Sequence, residues 1–325
     1  MSLNKPANKT ADKPADKPVR EKSGSFLFVK LPWTSAARNL AAEEYLLDEA
    51  DPEVSFLLVY ENSESLIIGK NQNPWMELAL PVLQSGEPPF FRRISGGGAV
   101  WQGPGNLNFS FITNRAHFSK EDNLDFVRRA LRRFGVCIEK TARGDLTAGG
   151  KKVSGNALCF RRGRVLHHGT LLVDAPLEKL KNSLSAHTGA GAESLGVPPF
   201  ASPFIIETRA VASVCGMPVA NLKDFSASLT PDLCVQALLE EALAVYENLS
   251  VPTDPGALFP MEKLRALENR HRDRDWLYGA TPAFTCRSGE TLLTVQNGII
   301  TAADPPSGGR FEGKFFTSGL LRGSS

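Results

Sequence analysis

Residues 92–112 read RRISGGGAVWQGPGNLNFSFI. Two arginines run into three glycines between FFRRIS (90–95) and NLNFSFI (106–112), both of which read as strands. In the second, Leu107, Phe109 and Phe111 alternate with Asn108, Ser110 and Ile112, so one face is consistently apolar. Glycine adopts φ > 0 at no steric cost and lets a ligand approach the main chain closely. Backbone N–H groups in such a loop can cradle an anion, and a neighbouring guanidinium can grip phosphate or carboxylate with two prongs. The stretch is neither G-x-x-x-x-G-K-[ST] nor a G-x-G-x-x-G turn opening a helix, which excludes the two common nucleotide-loop folds. A flexible turn or a bulge is the plain alternative for three glycines taken alone.

Outward from the glycines, the pattern stays that of a mixed sheet with helices. Residues 35–49 place Ala36, Leu40 and Leu47 on one helical face. VSFLLVY (54–60) and SLIIGK (65–70) read as a hairpin. A helix over 122–135 carries Leu124, Val127, Leu131 and Phe134 at helical spacing, with Asp122 or Asn123 to cap its start and Gly135 its end. Arg128, Arg129, Arg132 and Arg133 lie on its other face, which reads as solvated. VCIEK (136–140), VSGNALCF (153–160) and RVLHHGTLLVD (164–174) continue the sheet, with a tight turn at Arg161, Arg162 and Gly163. Residues 189–207 read as a long loop, and Thr230-Pro231 opens a helix over 231–247. A further helix near 260–269 precedes two or three short strands in the last forty or so residues. There is no βαβ rhythm, so the pattern predicts an α+β fold: a mixed, mainly antiparallel sheet with flanking helices.

Composition narrows the function classes. A 42% hydrophobic and 22% charged chain of 325 residues is ordinary for a globular protein. Net charge of +2 gives no electrostatic case for nucleic acid or a membrane surface, and no apolar run reaches the ~20 residues of a membrane span. The five cysteines form no C-x-x-C pair, which argues against a zinc site or a disulfide framework and for a reducing, cytoplasmic setting. Residues 1–24 form a loose Lys-Pro-Ala-Asp repeat with almost no apolar content and read as a disordered tail.

Two further stretches carry chemistry. In GDLTAGGKKVSGNA (144–157), Lys151 and Lys152 enter a strand and must point to opposite faces, so one ammonium can face a pocket while the other is solvated. In HHGT (167–170), His167 and His168 likewise point apart and do not readily chelate one metal. Cys137 and Cys159 sit in apolar strands and read as core residues, and no G-x-S-x-G elbow is present.

Taken in order, RRISGGGAV, GPGNLNFSFI, GDLT…GKKVSGNA and LHHGTLLVD closely resemble the lipoate–protein ligase A family. NLAAEEYLL (39–47), IIGKNQNPWME (67–77) and RDWLYGATPAF (274–284) extend the likeness over most of residues 26–285. The resemblance implies the biotin/lipoate ligase catalytic fold, related to class II aminoacyl-tRNA synthetases. It would span 25–250, with 251–325 as helix, linker and a reduced, β-rich C-terminal accessory region. It further implies ATP-dependent activation of lipoate to lipoyl-AMP, with magnesium entering as part of the ATP complex. The lipoyl group would then pass to a lysine of a lipoyl domain of the 2-oxoacid dehydrogenase E2 or glycine-cleavage H type. By the same resemblance Lys152 would be the catalytic cation, shared by nucleotide and lipoate. Arg93, Gly98, Ala99, Val100, Trp101, Asn106 and Asp145 would border the nucleotide, and Gly96, Gly97, His168 and Gly169 the acyl group.

The sequence departs from the family pattern at four places. Gln102-Gly103 stand where the family commonly has His-Asp, and Gly144 stands where it has Asn. Cys215-Gly216 in SVCGMPVANL (213–222) replace Arg-Ser, and the portion after Phe284 is short for the family's accessory domain, a role a partner chain can take over. An octanoyl or lipoyl transferase working without ATP, and a non-catalytic binder of lipoyl domains, stand as alternatives.

Overall fold

The computed structural model describes residues 22–184, 205–206, 217–288, 290–304 and 311–317. In chain order the first elements are β1 (Lys22–Lys30), α1 (Ala36–Glu49), β2 (Val54–Glu61), β3 (Ser65–Ile68), α2 (Pro74–Glu77), α3 (Leu80–Ser85), β4 (Phe90–Arg92), β5 (Val100–Gln102) and β6 (Asn106–Asn114). There follow α4 (Lys120–Arg132), β7 (Glu139–Lys140), β8 (Leu146–Ala148), β9 (Lys151–Ser154), β10 (Asn156–Arg161), β11 (Arg164–Leu172), α5 (Leu177–Ser183) and β12 (Ile205–Ile206). The last are α6 (Pro231–Val245), β13 (Tyr246–Ser250), α7 (Met261–Arg272), β14 (Phe284–Ser288), β15 (Thr291–Gln296) and β16 (Ile299–Asp304).

A six-stranded sheet in the order β10-β11-β6-β2-β1-β13 forms the centre, parallel only at β1–β2 and β1–β13. One face carries Leu57, Val59, Leu107, Phe109 and Phe111, which pack under α4 and α6 through Leu124, Val127, Leu131 and Leu238. The other carries Phe56, Leu58, Ile112 and Leu166, covered by Leu46 and Leu47 of α1 and Leu264 of α7. Burial on both faces explains why β6 is buried along nearly its whole length, although only one of its faces reads as apolar. Three small sheets surround this centre: β4-β3-β5, β7-β8-β9 and β12-β14-β15-β16. No helix among the described residues is long and apolar enough to cross a membrane.

The local signals act where expected, with corrections. Thr230 and Pro231 open α6 as expected, and the structure adds Ser35 as the cap of α1. Helix α4 begins at Lys120 with Ser119 as its cap, ahead of the expected Asp122 or Asn123, because the Ser119 hydroxyl accepts from Asp122 N. Its arginines are a solvated face only in part: Arg132 and Arg133 are exposed, but Arg129 pairs with Glu241 at 2.6 Å, and Arg133 pairs with Glu240 and Glu241, tying α4 to α6. The expected 54–70 hairpin does not form. β2 pairs with β1 and β6, whereas β3 pairs with β4 and β5 in another sheet. The expected strand 153–160 breaks at Gly155 into β9 and β10. The turn between β10 and β11 is the two-residue Arg162-Gly163 loop, both in the left-handed region. Strand β1 starts at Lys22, so residues 22–24 of the expected tail are ordered into the sheet. Residues 1–21, the loop reading for 189–204 and position 207, and Cys215-Gly216 lie outside the described residues.

The C-terminal segment is joined to this centre in two ways. Trp75 of α2 packs against Tyr278, Phe284, Phe315 and Phe316 at 5.1–6.2 Å between ring centroids. Helix α7 is bound to α1 by Arg38–Glu268 at 2.8 Å and by His271–Glu44 at 3.0 Å.

Candidate active site

The SGGG loop closes against β3. A Cβ on Gly69 would overlap the Gly97 carbonyl, so the loop and the end of β3 touch main chain to main chain. Arg93 holds this arrangement from beneath. Its guanidinium donates to the carbonyls of Ile67, Gly96 and Gly98 at 2.6–3.1 Å and to the Ser95 hydroxyl at 3.0 Å. Burial lowers its pKa to about 10, which leaves it charged at neutral pH. The glycines therefore differ. Gly97 has φ +88° and a Cβ there would press on Arg93 Nη2 at 2.9 Å, whereas Gly96 has open space and no positive φ. Gly97→Ala is expected to cost about 1–2 kcal/mol and Gly96→Ala less than about 0.5 kcal/mol. Thermal melts of the two variants check this, and equal losses would contradict it.

A buried relay runs from the loop to α1. Ser95 Oγ lies 2.6 Å from His168 Nε2, and His168 Nδ1 lies 2.9 Å from Glu43 Oε2. Glu43 Oε1 accepts from Tyr60 at 2.9 Å and from Ser110. Burial opposes the charge on Glu43, but His168 and the hydrogen bonds from His168, Ser110 and Tyr60 outweigh it and hold the carboxyl below its usual range. Although the order Ser-His-Glu is that of a hydrolytic triad, Ser95 is buried and does not line the cavity, so this set fixes the imidazole rather than supplying a nucleophile.

A second relay uses the other histidine. Asn123 donates to His167 Nδ1 (3.2 Å), His167 Nε2 donates to Asn156 Oδ1 (3.1 Å), and Asn156 donates to the Gly144 carbonyl (2.6 Å). Lys120 Nζ donates to the Arg143 carbonyl at 2.8 Å. These bonds set the loop that carries Arg143 and Asp145. Gly144 has φ +90°, and a Cβ there would collide with Lys120 Nζ, so this departure from the family pattern is built into the turn. Burial pushes the His167 pKa down to about 3 from 6.5. Between those values the unfolded chain binds a proton that the folded chain refuses, so stability falls as pH drops, by up to about 1.4 kcal/mol per unit. His167→Gln is expected to lower stability at neutral pH yet flatten this dependence between 6.5 and about 3. Urea midpoints across the range measure it, and an unchanged slope would rule it out.

Lys152 completes the site. Lys151 is exposed, while Lys152 turns inward and lies 2.9 Å from Asp145. Its main chain is clamped by Pro218 O and Ala220 N. Gly155 is bare where the lysine crosses it: a Cβ would meet Lys152 Cε and Nζ at 3.0 Å. That crossing leaves little room for a side chain at 155, and from Asn156 the chain leaves β8 to pair with β11.

These parts enclose a cavity of about 240 Å³. Of the expected residues, Arg93, Gly97, Gly98, Ala99, Val100, Asp145, Lys152, His168 and Gly169 line it. Gly96, Trp101 and Asn106 do not. Along β5 the side chains alternate, so Val100 and Gln102 face the cavity while Trp101 is buried behind it with Leu66 and Ile68. Asn106 is buried and donates to Asn108, which does line the cavity. The sequence reading missed Leu40, Tyr60, Ile67, Arg143 and Asn156 on the lining, and Glu43 behind it. One signal for Glu43 was present: Glu43 and Glu44 follow Leu40 by three and four residues, inside the apolar stripe of α1, where an acid is buried only with partners. Among the described residues no cysteine lines the cavity.

The arrangement offers a semi-apolar slot for a chain-like acid, a cation–carboxylate pair at its rim, and a bare glycine wall. Residues 35–243 match the family model described as the lipoyl protein ligase A/B catalytic domain. The chain is 31% identical over 265 residues to a lipoate-protein ligase A of Psychrobacter cryohalolentis, covering 78% of this chain and 71% of that one. In fold it is similar to the P. falciparum protein LipL1 solved in complex with lipoate (TM-score 0.62, 24% identity, 85% and 82% of the two chains covered). It is also similar to a bi-partite lipoate protein ligase from Thermoplasma acidophilum, solved in a study of that ligase and its E2 lipoyl domain (TM-score 0.60, 22% identity, 80% and 97% covered).

Proposed function

The chain belongs to the lipoyl protein ligase A/B catalytic-domain family, and from that membership we propose that it is an ATP-dependent lipoate–protein ligase. In the first step a lipoate carboxylate oxygen attacks the α-phosphorus of ATP, pyrophosphate leaves, and lipoyl-AMP forms. In the second, the ε-amine of an acceptor lysine attacks the lipoyl carbonyl, an amide forms, and AMP leaves. The observation that carries this reading is Lys152 lining the slot, paired with Asp145 at 2.9 Å and next to the glycine wall. The first step brings a carboxylate against a polyphosphate, and the second develops negative charge on the acyl carbonyl and the departing AMP, so a fixed ammonium there lowers both barriers.

The remaining residues position the substrates. Leu40, Ile67 and Val100 give the acyl chain an apolar wall. The wall at Gly97 and Gly98 has no side chains, so the adenylate can lie against the main chain. Arg93 shapes that wall with most of its donors already engaged by loop carbonyls and Ser95, which favours a supporting role over direct phosphate binding. Arg143 is exposed at the cavity edge and is placed to meet the polyphosphate. Magnesium arrives with ATP, and Asp145 is the carboxylate lining the cavity that can meet it. Catalysis is positioning and electrostatics, with no covalent enzyme intermediate.

The acceptors are lipoyl domains, of the 2-oxoacid dehydrogenase E2 or glycine-cleavage H type, and the setting is the cytoplasm, consistent with the free thiols of Cys137, Cys159 and Cys234. The catalytic unit covers 25–250, and the short sheet after Phe284 serves as the accessory region, alone or with a partner chain. Pyrophosphate release from ATP that depends on lipoate tests the activity. Release independent of lipoate, or acyl transfer from an octanoyl carrier with no use of ATP, would contradict it.

A further inference from the structure

One wall of the cavity carries a polar group that the acyl-activation chemistry does not use. Gln102 replaces the histidine common in the family and is 7% exposed on β5, next to Val100 on the cavity side. Its orientation follows from a chain of amides. Asn39 Nδ2 donates one hydrogen to the Trp33 carbonyl at 2.9 Å and the other to Asn62 Oδ1 at 2.8 Å. Asn62 Oδ1 is thereby fixed as an acceptor, and Asn62 Nδ2 donates to Gln102 Oε1 at 2.5 Å. Each amide sets the sense of the next. Gln102 Nε2 is the end of the chain, and its hydrogens make no bond among the described residues. They are left to the cavity, beside the apolar Leu40, Ile67 and Val100.

We infer that Gln102 is a specificity-determining residue that selects an acyl acid with a hydrogen-bond acceptor near its far end, so lipoate over octanoate. This rests on the ligase reading above. A dithiolane sulfur is a weak acceptor and can take an N–H of the amide. An alkyl end fills the same space but leaves a buried donor without a partner, a penalty that polar groups in specificity pockets impose on analogues lacking the matching atom. Because Asn62 holds the oxygen, the amide cannot rotate to present its carbonyl instead.

The test measures kcat/KM for lipoate and for octanoate from pyrophosphate release, in the wild-type chain and in Gln102→Met. The ratio of the two values is taken within one preparation, so a variant that folds incompletely still reports it. The wild type is expected to favour lipoate, and Gln102→Met, which keeps length and removes the amide, is expected to lower that ratio about tenfold. Asn62→Ala, which frees the amide to rotate, is expected to lower it in the same direction by less. Lipoate-dependent release in the wild type with the Gln102→Met ratio within twofold of it overturns this inference alone. No release from the wild type with either acid overturns the ligase reading, and the inference falls with it.

Discussion

Lys152→Ala is expected to reduce lipoate-dependent pyrophosphate release by at least about a hundredfold, the scale of removing one preorganised charge from the point where transition-state charge develops. The lysine is half-buried, its main chain is clamped on both sides by Pro218 and Ala220, and its side chain crosses the bare face of Gly155 to reach Asp145. A side chain held in that way needs no reorganisation when carboxylate and phosphate meet. The fold should survive, because a partly exposed ion pair contributes no more than about 1 kcal/mol to stability. Lys151 is the internal control. It is the adjacent residue, carries the same charge and is exposed on the opposite face, so Lys151→Ala should change the rate little. Equal losses in the two variants, or full activity in Lys152→Ala, would remove the lysine from its assigned role.

Arg92→Met is expected to unfold the junction between the catalytic core and the C-terminal segment. Arg92 is fully buried, with no carboxylate partner among the described residues. Its guanidinium is solvated by the carbonyls of Gly69, Lys70, Gln72, Trp276 and Leu277 and by the Thr281 hydroxyl, at 2.6–3.2 Å. Burial lowers its pKa only to about 10, so it stays charged at neutral pH. Methionine fills much of the volume and leaves those carbonyls without a donor, at a cost of about 4 kcal/mol or more. The thermal midpoint should fall by on the order of 8 °C. Arg92→Lys should recover little, since a single ammonium cannot reach acceptors on two sides as a planar fork does. A variant melting within about a degree of wild type would show that the carbonyls find other donors.

Arg92 also marks where sequence reading stops. From their place beside the glycines, the RR pair reads as the source of a guanidinium for an anion, with no sign that the first arginine is taken up elsewhere. The partners that claim the first lie up to 189 positions away, and no local pattern announces them. The same limit governs the failed 54–70 hairpin. Two adjacent apolar strands look alike whether they pair with each other or with distant partners, and β3 pairs with β4 and β5, the strands on either side of the glycine loop. What was legible had a local cause: the Thr230-Pro231 start of α6, the alternation that gives β6 its apolar face, and the opposite facing of Lys151 and Lys152. The two histidines were rightly separated by the same alternation, but their partners Glu43 and Asn123 come from helices whose approach to the sheet is a tertiary fact. Gln102 was visible as a departure, yet its direction in the cavity depends on Asn39 and Asn62, which no spacing rule connects to it.

The most direct test is the intact mass of a lipoyl domain after incubation with the chain, ATP, magnesium and lipoate. A gain of one lipoyl group on a single lysine is expected, requiring both ATP and lipoate and lost with Lys152→Ala. A domain that stays unmodified under these conditions, or one that gains the group without ATP, would contradict the assignment.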